Sequence, residues 1–278
     1  MYKLTKLAYF ACSEKQRQEY NYFKLPPIDL KPCCTVILSN FIKKNDDLSN
    51  SNSDGRQLLI STTWKAAENG HLKCLMLAHN EGYPWDEATT ESAARNGHLD
   101  CLKFAHENGC PWDKYITETA AGSGFLNCLR YAHENGCPWD DSTTYYAAGY
   151  GKLDCLIYAI ENGCLWHPCT TYFVAQNGHL NCLIYAHENN CPWGQHTTET
   201  AAAEGNLDCL KYAHENGCPW DLHTTAAAAE NGHLDCLIYA HENGCPWDES
   251  TTYSAAAFGH EDCLEYARKN YCPESNLD

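Results

Sequence analysis

A 27-residue period constrains this chain more than any other feature of it. Cys74, Cys101, Cys128, Cys155, Cys182, Cys209, Cys236 and Cys263 are each 27 residues apart, and a leucine follows every one. A second column keeps the same step from Tyr83 through Cys110, Cys137, Cys164, Cys191, Cys218 and Cys245 to Cys272. One unit reads CPWDxxTTxxAAxxGHLDCLxYAHENG, and eight copies start at residues 56, 83, 110, 137, 164, 191, 218 and 245. A fixed period of this length is the mark of one supersecondary unit stacked on itself.

Each unit carries two helix signals and one turn signal. In the first, the Thr89-Thr90 type of pair offers a hydroxyl N-cap. Thr90, Ala93, Ala94 and Gly97 then recur at helical spacing and give this helix a buried face of small residues. In the second, Leu99, Cys101, Leu102 and Ala105 form the apolar stripe with Phe104 beside it, and Asn108-Gly109 supplies the stop. Proline in the Cys-Pro-Trp-Asp segment suits a connector and would damage a helix interior. Two helices of about ten residues cannot bury their apolar faces alone, so the units must stack into an all-α solenoid of helix–turn–helix repeats with a continuous core. A leucine-rich solenoid would need an alternating LxL strand in every unit, which this sequence does not have. In the last copy the Leu99 column becomes Glu261, with Glu265, Arg268 and Lys269 also polar, which reads as a C-terminal cap.

Charge and composition narrow the function. The formal net charge of −17 argues against nucleic-acid binding, which needs clustered cations on the phosphates. No apolar run approaches the ~20 residues of a membrane span, and the opening MYKLTKLAYFACSEKQ has too short an apolar stretch for a secretory signal. Nineteen cysteines would suggest a disulfide scaffold in a secreted chain. Equivalent positions on stacked helices lie about 8–10 Å apart, however, and a bridge needs Cα atoms within about 7 Å. Reduced thiols are therefore expected, in cytosol or nucleus.

His98, Cys101, His106 and Cys110 could together supply four metal ligands. Their columns also hold Phe125, Lys152, Asn206, Ile160 and Arg268, so a four-ligand site fails in at least half of the units. The cysteines read instead as small core residues, and no metal or cofactor is expected. The Trp85 column is expected to pack against its neighbours with each indole N–H on a carbonyl, the alternative being an exposed recognition ladder. Residues of the Asp100 and Glu107 type read as solvated edges.

The segments ENGHLKCL (68–75), RNGHLDCLKFAHENG (95–109) and ENGHLDCLIYAHENG (230–244) resemble the helix pair of ankyrin repeats. The unit departs from the family in its length, since ankyrin repeats run to about 33 residues. It also has Cys-Pro-Trp-Asp where the β-hairpin finger usually projects, so a short turn is expected there. This short type is similar to the ankyrin arrays of giant DNA viruses of amoebae and of some protists, which would place the protein in a host cytoplasm. The resemblance implies a non-enzymatic scaffold that binds a partner protein on its concave face. The contact positions it implies map to the columns of residues 87, 88, 91, 95 and 96. Most units have Glu, Ser, Ala or Asn there, whereas the fourth and fifth carry Tyr145, Tyr146 and Tyr150, then Tyr172, Phe173 and Gln176. The same two units break the pattern with Lys152, Ile160, Leu165, His167, Pro168 and Cys169. Either this aromatic cluster is the protein-binding hot spot, or Tyr146 and Phe173 merely replace core residues.

Residues 1–50 carry a net charge of +3 and residues 51–278 one of −20, which sets an N-terminal segment, 1–55, apart from the repeat array of 56–278. Lys3 to Tyr22 has helical spacing suited to a cap, and residues 46–55 read as a mobile linker. Leu25-Pro26-Pro27, Ile37 to Phe41 and Asp47-Leu48 resemble an F-box, and that likeness implies an alternative role as a substrate-recognition adaptor of a cullin-type ubiquitin ligase. No phosphate-binding glycine loop and no unique Ser-His-Asp or Cys-His set points to an enzyme, and His167 with Cys169 reads as drift within one repeat. The expected partner is a protein, drawn by the acidic array if it is basic, and the chain is expected to be a monomer.

Overall fold

The computed structural model of the chain describes residues 63–194 and 196–274. The capping or docking segment expected over 1–55, its linker and its F-box-like run lie outside them. Two compact units divide the described residues, one of 63–120 with 127–138 and the other of 121–126 with the described residues from 139 to 274.

In the first unit a helical stretch over 63–68 precedes α1 (Leu72–Asn80), α2 (Glu87–Arg95) and α3 (Leu99–Glu107). This unit also takes the larger parts of α4 (Tyr115–Ser123) and α5 (Leu126–Glu134), whose residues 121–123 and 126 belong to the second unit. Helix α2 packs on α3, and α3 packs on α1.

The second unit continues with α6 (Asp141–Gly149), α7 (Leu153–Glu161), α8 (Thr170–Gln176), α9 (Leu180–Glu188) and α10 (Thr197–Ala203). It is completed by α11 (Leu207–Glu215), α12 (Leu222–Glu230), α13 (Leu234–Glu242), α14 (Glu249–Phe258) and α15 (Glu261–Lys269). Here the first helices of successive repeats stack in the order α6, α8, α10, α12, α14, and the second helices in the order α7, α9, α11, α13, α15. The result is a helical solenoid with no strand among the described residues, and the Cys-Pro-Trp-Asp segments form short connectors without regular structure.

The sequence pattern explains most of the core. Cys101, Leu102 and Ala105 of α3 are buried, as are their counterparts in every second helix. The Leu99 column is only half-buried, which corrects its assignment to the core stripe. Ala93 and Ala94 with Thr89 and Thr90 form the buried face of α2, all at 0 % exposure. Each helix ends in a left-handed residue. Gly97 (φ 73°) closes α2, with the next amide, His98 N–H, donating to Ala93 O at 2.8 Å; Gly109 (φ 80°) closes α3, with Cys110 N–H donating to Ala105 O at 2.9 Å. Gly97 therefore lies beyond the first helix and not on its face.

The threonine pair is not the N-cap. Helix α2 starts at Glu87 after Asp86, and in α6, α12 and α14 the capping side chains are Asp140, Asp221 and Asp248, which accept the amide protons of Ser142, His223 and Ser250. The threonines sit inside the helix and bond to the following repeat. Thr90 donates to Pro111 O at 2.9 Å, Thr225 to Pro246 O at 3.1 Å and Thr252 to Pro273 O at 2.7 Å. A neutral hydroxyl inside a core is stable only when it is bonded, so this ladder fixes where each turn sits on the preceding first helix.

No helix among the described residues is long and apolar enough to cross a membrane.

Candidate functional site

The repeated polar columns lock one repeat to the next. The left-handed Gly97 column leaves a notch that a side chain of the following repeat fills. A Cβ added at Gly205 would stand 2.5 Å from His233 Nδ1, at Gly178 2.5 Å from Asn206 Oδ1, and at Gly124 2.8 Å from Lys152 Cδ. The notch selects for a side chain that covers bare backbone, which is why His, Asn and Lys share one column. Asn206 also donates from Nδ2 to the carbonyls of Ala175 and Gln176 at 2.8 and 2.9 Å.

The histidines of the His106 column serve another contact. His106 stacks on Trp112 with ring centroids 3.7 Å apart, and its Nδ1 lies 2.8 Å from the Tyr131 hydroxyl. His214 repeats this with Trp220 (3.7 Å) and Tyr239 (2.9 Å), and His241 with Trp247 (3.9 Å) and Tyr266 (2.8 Å). The tryptophans are half-buried in these triads, and the indole N–H groups of Trp166 and Trp193 donate to Asn189 O and Asn216 O at 3.0 and 3.3 Å. They pack, as the sequence suggested, while keeping one edge in solvent.

Both thiol columns are buried and unbridged. Cys110 donates its S–H to Asp86 O at 3.2 Å, and Cys137 to Asp113 O at 3.0 Å. Where that aspartate is replaced by His167 and Gly194, the thiols of Cys191 and Cys218 turn to the carbonyls of Pro192 and Pro219 at 3.8 Å. Burial, with Asp86 and Glu87 nearby, pushes the Cys110 thiol up to about 12, and burial pushes Cys128 up to about 11. Such thiols stay protonated and are neither nucleophiles nor ready metal ligands. Among the described residues no three His, Cys, Asp or Glu side chains come together to hold a metal. The irregular pair is a local turn: Cys169 N–H donates to His167 Nδ1 at 3.1 Å, and Cys169 is exposed.

Four of the six residues singled out in the sequence form one aromatic tetrad. Tyr145 stacks on Phe173 (4.5 Å between centroids, 16° between planes) and Tyr146 stands parallel to Tyr150 (6.1 Å, 9°). The two pairs meet edge to face, Tyr145 on Tyr146 at 5.3 Å and Tyr150 on Phe173 at 5.5 Å. His167 joins the edge of the group, 4.8 Å from Tyr145. Tyr172 stands outside this stack, and burial, with the ionisable Cys169, Tyr146, Tyr172 and Tyr150 nearby, raises the Tyr145 phenol above its ordinary value. Gln176 is tied through its carbonyl to Asn206.

The tetrad rests on glycine. A Cβ at Gly149 would stand 1.8 Å from Phe173 Cδ1, and one at Gly122 would be 3.2 Å from Tyr146 Cβ and from Tyr150 Cδ2. Each glycine occupies the Arg95 column of the repeat just before the one that carries Tyr146 or Phe173. Paired occurrence of a missing side chain and an added ring was visible in the sequence, but its meaning needed the stacking geometry. Tyr146 and Phe173 are half-buried and Tyr150 is 49 % exposed, so these rings are seated on the backbone without entering the core.

No family model and no curated protein matches the chain. Among solved structures it is similar to the ankyrin repeat domain of human ASB11, at 19 % sequence identity and a TM-score of 0.51, over 56 % of this chain and 84 % of that one. Identity that low speaks for the fold alone. With helix pairs stacked at one period, connectors in place of hairpin fingers and this structural likeness, the chain has an ankyrin-repeat-like fold.

Proposed function

We propose that the protein is a non-enzymatic scaffold that captures a partner protein on the face of its first helices, with Tyr145, Tyr146, Tyr150, Tyr172, Phe173 and Gln176 as the binding hot spot. The observation that carries this reading is the tetrad itself. Four rings are held by one another and by Gly122 and Gly149, yet Tyr150 is 49 % exposed. Aromatic side chains immobilised before binding lose little entropy on association and concentrate binding energy. The repeat array has a general use in this reading, since a rigid solenoid presents many side chains on one surface. Buried, unbridged thiols in every described repeat support a reducing compartment, the cytoplasm, and the unit is proposed to act as a monomer.

The test is partner capture by the full-length chain from a eukaryotic lysate, with bound proteins quantified by mass spectrometry. Tyr150→Ala with Tyr172→Ala should lower recovery of the specific partner at least tenfold, while the second-helix control Lys211→Ala leaves it unchanged. Equal recovery by both variants would remove the hot spot from the reading.

A further inference from the structure

Two further exposed rings stand on a first helix four repeats beyond Tyr145 and Tyr150. Tyr253 and Phe258 on α14 are 52 % and 60 % exposed. They occupy the register positions of Tyr145 and Tyr150, four 27-residue periods further on. Helices α8, α10 and α12 lie between α6 and α14 in the stack, so at about 8–10 Å per helix Tyr145 and Tyr150 stand about 32–40 Å from Tyr253 and Phe258.

Charge on the intervening face is one-sided. The turn and first helix of the five repeats from Cys137 to His260 contain a single Lys or Arg, Lys152, whose stem covers Gly124. The cations of these repeats, Lys211, Arg268 and Lys269, belong to second helices. Between the two groups of rings the first-helix face carries Glu199, Glu204 and Glu230. Glu204 and Glu230 are exposed, and Glu199 pairs with His196 at 2.6 Å.

Resting on the reading that this face binds a protein, we propose that its ligand is a lysine- and arginine-rich segment that spans from the tetrad to Tyr253 and Phe258. Its central cations lie over Glu204 and Glu230, and side chains at its two ends cover the two groups of rings. Guanidinium and ammonium groups are attracted both to carboxylates and to ring faces, so one ligand chemistry satisfies all three parts of the surface. The span sets the length: about 10–12 residues if extended, or about 21–27 if helical.

The experiment pans a displayed library of random 30-residue peptides on the full-length protein and measures the selected peptides by fluorescence anisotropy. Selected sequences should be rich in Lys and Arg, and affinity should fall steeply as salt rises. Tyr253→Ala with Phe258→Ala should weaken binding about tenfold, as should Glu204→Lys with Glu230→Lys. All four side chains are exposed, so an unchanged thermal midpoint will show that these variants fold. Loss of binding in Tyr150→Ala with Tyr172→Ala, without loss in Tyr253→Ala with Phe258→Ala, would overturn the second anchor and leave the hot spot standing. No loss in either pair would overturn both. Selection of neutral or acidic peptides would overturn the basic ligand.

Discussion

Replacing Gly149 by alanine tests the packing logic of the tetrad. The added Cβ would stand 1.8 Å from Phe173 Cδ1 and 2.1 Å from Cε1, so the ring must leave its place. Phe173 would lose its stack on Tyr145 and its edge contact with Tyr150, each worth about 0.5–1.5 kcal/mol. Alanine in a helix returns at most about 1 kcal/mol over glycine. Gly149→Ala should therefore destabilise the protein by about 1–2 kcal/mol. In a Phe173→Ala background the obstacle is gone, and the same substitution should stabilise by up to about 1 kcal/mol. The assay is equilibrium urea unfolding, followed by far-ultraviolet circular dichroism, on the four proteins of the double-mutant cycle. A coupling near 2 kcal/mol with a change of sign is expected. Stabilisation by Gly149→Ala in both backgrounds would refute the claim that Phe173 sits on the backbone of α6.

Three further outcomes follow from the repeat contacts and from the cysteines. Gly232 and Gly244 are both left-handed (φ 74° and 83°), but a Cβ at Gly232 would meet His260 Nδ1 at 2.4 Å, whereas one at Gly244 meets nothing within 4 Å. Gly244→Ala should cost only the backbone strain of about 1 kcal/mol, and Gly232→Ala distinctly more, as thermal or urea melts of the two variants will show. The buried thiols make stability depend on alkaline pH. Burial raises Cys110, Cys137 and Cys245 from the ordinary 9.0 to about 12, so the unfolded chain ionises first; their stabilisation is complete below about pH 9 and is lost as pH rises towards 12. The thermal midpoint should fall steadily above about pH 9, and a midpoint level to about pH 11 would contradict this. At neutral pH, peptide mapping after brief alkylation should find Cys169 modified ahead of every other described cysteine, because it alone among them is exposed.

The period, the helix pairs and the turns between them were legible in the sequence because each depends on local signals. Gly109 stops a helix wherever it stands, Pro111 cannot continue one, and the buried triplet Cys101, Leu102 and Ala105 recurs at helical spacing. What each polar column is for was decided between repeats. Thr90 looked like a cap and proved to be a bridge to Pro111 O, because the helix starts three residues earlier, after Asp86. Leu99 looked like core and is half-buried. His98, Asn206 and Lys152 looked interchangeable for no reason until each was found covering a glycine of the preceding repeat, and Gly149 had no reading until Phe173 lay on it. Such contacts join residues that local signals cannot pair. They depend on the distance and rotation between stacked helices, and those are set only when the repeats pack together.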